Sequence, residues 1–173
     1  MQFSNSELDI TTLPKAEDAN LIPIDERYYT VVTYYQVFYW FIIFIATLIV
    51  AILNEEFHSW IMAGITLAAY SILCFLNFRL SYLNFKNKAY AIRDHDILYQ
   101  TGWLNKSLHV CPFNRIQHCS VDAGVFERDL GISKLKIYSA GGNDSDIVIP
   151  GLSQEQANDM RDLIILKNQQ ENE

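Results

Sequence analysis

The sequence predicts a membrane-anchored α+β protein, in which a two-helix transmembrane hairpin is followed by a small antiparallel β-domain capped by a C-terminal helix. Three observations predict this fold class. Two apolar stretches lie close together, short runs rich in β-branched and aromatic residues follow them, and the end of the chain returns to a helical period. A chain of 173 residues leaves room for one small soluble domain beside the hairpin.

The first 27 residues are polar and show no apolar period, and they include Pro14 and Pro23. We therefore expect residues 1–27 to form a flexible cytoplasmic leader. Its one ordered part would be residues 21–24, where the chain approaches the membrane.

The hairpin is predicted over residues 28–80, with spans at about 34–53 and 60–78. Neither span contains Asp, Glu, Lys or Arg, and each is long enough to cross a hydrocarbon core of about 30 Å as a helix. The short loop at residues 54–59 requires the two helices to run antiparallel. Because charged groups are missing from both spans, the sequence does not indicate an ion path or a proton relay, and we interpret the hairpin as an anchor.

Basic residues near the ends of the spans predict the orientation of the hairpin. The loop between the spans carries Glu55 and Glu56 and no basic residue. Basic residues cluster instead at the other end: Arg27, Arg79, Lys86, Lys88 and Arg93. The positive-inside rule then predicts a multi-pass protein of the inner membrane, with both termini and the β-domain in the cytoplasm.

The β-domain and its C-terminal helix are predicted over residues 81–168, followed by a polar tail at 169–173. The candidate strands are residues 89–93, 97–101, 106–111, 117–123, 135–139 and 147–149.

The C-terminal helix is predicted from its start signal and its apolar period. Ser153 and Gln156 have the spacing of a capping box. The predicted apolar face consists of Ala157, Met160, Leu163, Ile164 and Leu166.

A set of residues in the β-domain resembles the pattern of bacterial pleckstrin-homology-like membrane-flanked domains, the YdbS-like group. These residues are Pro112, Arg115, Ile116, Gln117, Val121, Phe126, Arg128, Gly131, Leu135, Ile137, Ser139, Ala140, Gly141, Ile149 and Pro150. The resemblance covers residues 80–167 and the preceding helix pair. It implies a pleckstrin-homology-like fold of two near-orthogonal sheets. That fold usually has seven strands, so we expect the strand missing from our six to lie within residues 103–111.

The same resemblance implies a non-enzymatic role in protein binding or in the assembly of a membrane complex. The implied partners are the lipid bilayer and a membrane protein or second copy, including a longer relative with repeated domains. The alternative is a membrane-substrate enzyme or a small transporter component. A deep pocket at the membrane-facing end of the β-domain, lined by convergent titratable groups, would favour that alternative.

Three exposed polar residues form the candidate interaction edge: Arg115, Gln117 and Arg128. If Ile116 points into the core, Arg115 and Gln117 point to the opposite face and are free to meet a partner. The structural alternative is that Arg115 binds nearby main-chain carbonyls or pairs with a carboxylate such as Asp122 or Asp129.

The sequence indicates no catalytic residue, metal or cofactor. His109, Cys111, His118 and Cys119 are the residues that most resemble a soft-metal set, but adjacent strand residues point to opposite faces, so we expect them to be packed. Residues 142–146 alternate oxygen-bearing side chains, and we interpret them as a hairpin turn. Residues 88–167 hold nine basic and ten acidic residues, a balance that does not predict nucleic-acid binding.

Overall fold

The computed structural model describes residues 19–54, 59–139 and 147–172. Two long helices, α1 (Arg27–Leu53) and α2 (Trp60–Lys86), form the hairpin, and both are long and apolar enough to cross a membrane. Both extend beyond the predicted spans at the end near the β-domain, since α1 begins before residue 34 and α2 continues past residue 78.

Polar contacts join the two helices of the hairpin. Gln36 donates a side-chain hydrogen bond to Asn77 Oδ1 at 2.9 Å, and the hydroxyl of Tyr70 donates to the main-chain oxygen of Trp40 at 2.8 Å. These bonds fix how far each helix is displaced along the other, because purely apolar surfaces would slide with little cost.

Within the described residues, seven strands form two antiparallel sheets. The strands are β1 (Ile22–Pro23), β2 (Ala89–Ile92), β3 (Asp96–Thr101), β4 (Ser107–Pro112), β5 (Ile116–Asp122), β6 (Ile132–Ser139) and β7 (Ile147–Ser153). The first sheet has the order β1-β2-β3-β4 and the second β5-β6-β7. A 3-10 turn (Phe113–Arg115) links the sheets, and a short helix, α3 (Val125–Asp129), links β5 to β6.

The seventh strand was expected within residues 103–111, and this prediction is wrong because that stretch contributes only to β4. It is β1, which precedes the hairpin and pairs with β2 through Ile22 opposite Tyr90 and Pro23 opposite Ala89. Ile24, which follows β1, is buried in the core. The last part of the predicted leader therefore belongs to the β-domain, while residues 1–18 lie outside the described residues. A strand of two residues has no alternation that sequence reasoning could detect.

The six strands predicted from the sequence are all present, and the largest difference is at β7. This strand continues through Pro150 and Gly151, beyond its predicted end at residue 149. Proline is tolerated there because β7 is an edge strand, and Gly151 adopts a left-handed φ of +68°.

The C-terminal helix, α4 (Gln154–Asn172), begins with the predicted capping box: the amide of Ser153 donates to Gln156 Oε1, and the amide of Gln156 donates to Ser153 Oγ, each at 3.1 Å. The helix continues into the predicted polar tail.

The buried face of α4 differs from the predicted one. Ala157, Met160 and Ile164 are buried, whereas Leu163 is 40% and Leu166 60% exposed. Spacings of three and four residues place the buried set on one stripe, and Leu163 and Leu166 lie beside it. The core that this stripe covers is centred on fully buried Phe113, Leu135 and Ile149.

Candidate functional site

The start of α1 packs directly against the β-domain. The rings of Tyr34 and Tyr35 lie 5.6 and 5.0 Å from the ring of Phe126 on α3. At Gly151 on β7, an added Cβ would stand 2.9 Å from the Cβ of Tyr28. The hairpin is thus seated on the domain through its first helix as well as through the chain connections.

A cleft of about 630 Å³ opens where the start of α1, the end of α2 and β1 meet, and we call it the junction cleft. Its lining combines the basic side chains of Arg27, Lys86 and Lys88 and one acidic side chain, Glu26, with the aromatic rings of Tyr29 and Tyr82. This volume falls within the range of about 300–1,000 Å³ that is typical of ligand pockets.

The three basic groups of the junction cleft differ in their existing partners. The guanidinium of Arg27 is engaged, since it pairs with Asp25 at 2.7 Å. The ammonium of Lys86 lies 4.9 Å from the ring centroid of Tyr82, and that of Lys88 lies 5.1 Å from the ring centroid of Tyr28. Within the described part of the chain, neither lysine forms an ion pair with a carboxylate.

Lys88 is the most enclosed of these cations. Its burial lowers the pKa of its ammonium group below the ordinary value for lysine, because a charge removed from water is less stable. An anion bound in the cleft would compensate for that lost hydration. The chemistry of the cleft therefore suits a negatively charged group that also carries apolar surface.

A second cleft, of about 410 Å³, lies on the other side of Lys88 and is bordered by Glu127 and Lys134. The Glu127 carboxylate is buried, accepts a hydrogen bond from the amide of Gly124 at 2.6 Å, and lies 3.5 Å from the ammonium of Lys134. Titratable groups thus converge here. The Glu127 carboxylate is bound by the Gly124 amide at the start of α3 and by the Lys134 ammonium, so its role here is structural.

The structure brings two of the three predicted edge residues together. Arg115, in the 3-10 turn, and Gln117, on β5, are both exposed at the start of that strand. Arg128 is also exposed but lies on α3, beyond the other end of β5. Seven strand residues span roughly 20 Å, so Arg128 belongs to a different surface.

One structural alternative paired Arg115 with a carboxylate such as that of Asp122, and the observed partner of Asp122 tests it. Asp122 pairs with Lys136 at 2.6 Å, and no ion pair joins it to Arg115. Gln117 instead borders a shallow groove between β5 and α4, together with Ile165 and Asn168. The amide of Asn168 donates to the main-chain oxygen of Ile116, so α4 covers the start of the β5 edge.

The four residues of the soft-metal set do not form one cluster, although the Cys111 and Cys119 thiols are neighbours. His118 stacks on the ring of Tyr138 with centroids 4.1 Å apart, and burial raises the pKa of the Cys119 thiol to about 11. Over the described ranges, no three His, Cys, Asp or Glu side chains are grouped as a metal site would require. The predicted hairpin turn at 142–146 lies outside those ranges.

Sequence reasoning missed the junction cleft because it used Arg27, Lys86 and Lys88 only to orient the hairpin. The signal was nevertheless present. Residues 79–88 mix basic with aromatic side chains, a composition suited to the headgroup level of a bilayer.

Comparison with protein-family models gives a match to the bacterial PH domain over residues 31–168. This chain belongs to the bacterial PH domain family. The match confirms the resemblance drawn from the residues of the β-domain, and it extends through both hairpin helices as well as the strands from β2 onward. Searches of curated proteins and of solved structures give no significant match. In this bacterial PH domain, β1 lies before the matched range, and the hairpin occupies the connection between β1 and β2.

Proposed function

We propose that this bacterial PH domain protein is a non-enzymatic binding module of the inner membrane. The hairpin spans the bilayer, both termini and the β-domain are cytoplasmic, and the domain binds a protein partner during assembly of a membrane complex. The observation that carries the proposal is that the hairpin occupies the connection between the paired strands β1 and β2. The anchor and the domain are therefore joined at two points of the chain, before α1 and after α2.

The surface of the hairpin supports its insertion into the bilayer. Large apolar side chains point outward along both helices, including Phe38 at 62%, Leu53 at 76% and Trp60 at 93% exposure. Such a continuous apolar surface is unfavourable in water and favourable in lipid.

The face formed by β5 and α4 supports a protein-binding role, and we call it the β5/α4 face. It joins the exposed Arg115 and Gln117 to Ile165 of α4, which is 44% exposed and borders the same groove as Gln117. Apolar residues beside polar groups at the edge of a sheet are the usual composition of a protein interface.

The orientation is tested by single cysteines in a chain whose three native cysteines are replaced. Ser59→Cys lies between the spans, and Asn114→Cys is exposed at the start of β5. In intact cells a membrane-impermeant thiol reagent should label Ser59→Cys, and it should label Asn114→Cys only after lysis. The reverse pattern would contradict the cytoplasmic placement.

The binding role is tested by a photo-crosslinking residue at position 117 in the full-length chain. We expect a crosslink to a membrane protein or to a second copy, and we expect Arg115→Glu to weaken it. Arg128→Glu is the matched control, because Arg128 is also exposed but lies on another surface. A chain that crosslinks to nothing across several detergents and in native membranes would contradict assembly through this face.

The junction cleft favours a second candidate, the binding of an anionic lipid headgroup. Lys88 supports it, since this enclosed ammonium has no carboxylate partner in the described part of the chain. Native mass spectrometry should detect retained phosphatidylglycerol on the wild type and less on Lys88→Met, with Lys167→Met as control. Displacement of the lipid by inorganic phosphate alone would indicate a free-phosphate site. Equal retention by all variants would contradict the candidate.

A further inference from the structure

The loop between β3 and β4 exposes two large apolar side chains. Trp103 is 41% and Leu104 88% exposed, and the ammonium-bearing side chain of Lys106 is exposed beside them. Gly102, with φ of +92°, shapes the loop, because any Cβ there would collide with the main-chain oxygen of Asn105. The tight turn therefore holds Trp103 and Leu104 at its tip instead of folding them against the sheet.

The strand register places this loop at the end of the sheet where α2 enters the domain. Residue Ala89, the first of β2, pairs with Gln100 near the end of β3. The side chain of Gln100 also donates a hydrogen bond to the main-chain oxygen of Asn87, directly after α2, at 3.3 Å. Since β3 runs antiparallel to β2, it returns the chain to the hairpin and presents residues 102–106 there.

The distance between the loop and the hairpin is short. Trp103 is three positions after Gln100, so their Cα atoms lie at most about 10 Å apart. Tyr82, in the last turns of α2, stands roughly 8 Å along the helix from Asn87. These limits keep Trp103 in the neighbourhood of the last turns of α2, where the helix leaves the apolar layer.

We propose that residues 102–106 form a second contact with the bilayer that holds the hairpin, with Trp103 and Leu104 at the headgroup boundary and Lys106 facing lipid phosphate. The proposal rests on the proposed function, in which the hairpin is inserted in the bilayer. A tryptophan ring is apolar over its body and polar at its N–H, which suits this boundary, and a lysine beside it suits an anionic surface. The bilayer is the surface that this loop contacts, because lipid surrounds an inserted hairpin at the same level.

The test uses the three tryptophans of the chain, Trp40, Trp60 and Trp103. Replacing two by Phe leaves one reporter in the full-length protein, reconstituted in phosphatidylcholine and phosphatidylglycerol vesicles whose lipids are brominated near the headgroup. The variant that retains Trp103 should lose emission in brominated vesicles and be protected from iodide. Leu104→Asp in that variant should restore much of the emission, and Leu104 is exposed enough for the change to spare the fold.

Two further variants separate the possible outcomes. The variant that retains only Trp60 reports insertion of the hairpin, and Asn114→Trp in a chain without other tryptophans reports a site away from the hairpin, where no quenching is expected. Quenching of Trp60 without quenching of Trp103 would overturn the loop contact and leave the anchor intact. Quenching of neither would overturn the anchor itself. Protection of Trp103 from iodide without quenching by lipid would show that protein covers the loop, and would also overturn the proposal.

Discussion

Arg27 donates a hydrogen bond from Nη1 to the main-chain oxygen of Leu130 at 3.1 Å, joining positions 103 residues apart. Arg27 is the first residue of α1, and Leu130 directly follows α3. The same guanidinium pairs with Asp25, which lies between β1 and α1. One side chain thus links the strand before the hairpin, the hairpin and the β-domain.

Arg27→Gln should loosen this junction. Glutamine keeps a hydrogen-bonding group but loses the charge that pairs with Asp25 and the reach to Leu130. We expect a lower thermal midpoint for the full-length protein in detergent and faster proteolysis near residue 26. Arg128→Gln is the control, since no ion pair involves Arg128 in the described part of the chain. Equal effects of the two substitutions would contradict a specific role for Arg27.

Gly151→Ala should destabilise the β-domain. Gly151 has a φ of +68°, where other residues are strained by about 1–2 kcal/mol, and an added Cβ would stand 2.9 Å from that of Tyr28. The expected loss is roughly 1–3 kcal/mol, measured by urea unfolding in mild detergent. The control is Gly64→Ala in α2, where the added Cβ meets nothing within 4 Å and alanine favours the helix. An unchanged midpoint for Gly151→Ala would rule out the close approach of α1 to β7.

The capping box at the start of α4 allows a paired prediction. Ser153→Ala and Gln156→Ala each remove one of two reciprocal hydrogen bonds. Each should lower the free energy of unfolding by about 1 kcal/mol, the usual contribution of an N-terminal cap. Gln154→Ala alters an exposed side chain of the same type and should have almost no effect. Equal losses in all three variants would indicate that helix propensity, and not capping, is being measured.

Alkaline pH should destabilise the domain through Cys119. Burial, and after it the neighbouring Cys111 thiol, raises the pKa of Cys119 from 9.0 to about 11. The folded state therefore holds this proton more tightly than the unfolded chain. The resulting stability is complete below pH 9.0 and is lost as the pH rises through about 11.

Tyr99 acts in the same direction, since burial raises its pKa to about 12. Urea midpoints measured from neutral to alkaline pH should fall less steeply for Cys119→Ala than for the wild type. The same slope in both would show that the Cys119 thiol does not contribute to the alkaline loss.

Sequence reasoning located most of the elements, and the structure brings together two of the three residues of the candidate interaction edge. The six longer strands and the capping box were predicted from patterns that each lie within a few neighbouring residues. Arg115 and Gln117 were correctly placed side by side because they flank one residue. Arg128 was grouped with them by resemblance alone, and the length of β5 separates it.

The two long apolar helices, the strand-rich segment and the C-terminal helix could be read from the sequence, because charge-free length, alternation and capping are local properties of the chain. Three relationships became visible only in the folded chain: Ile22 and Pro23 pair with β2 across the hairpin, one stripe of α4 is buried, and Lys86 and Lys88 share a cleft with Arg27. The physical reason is that these relationships depend on the register between distant segments, and no period within a single segment encodes that register.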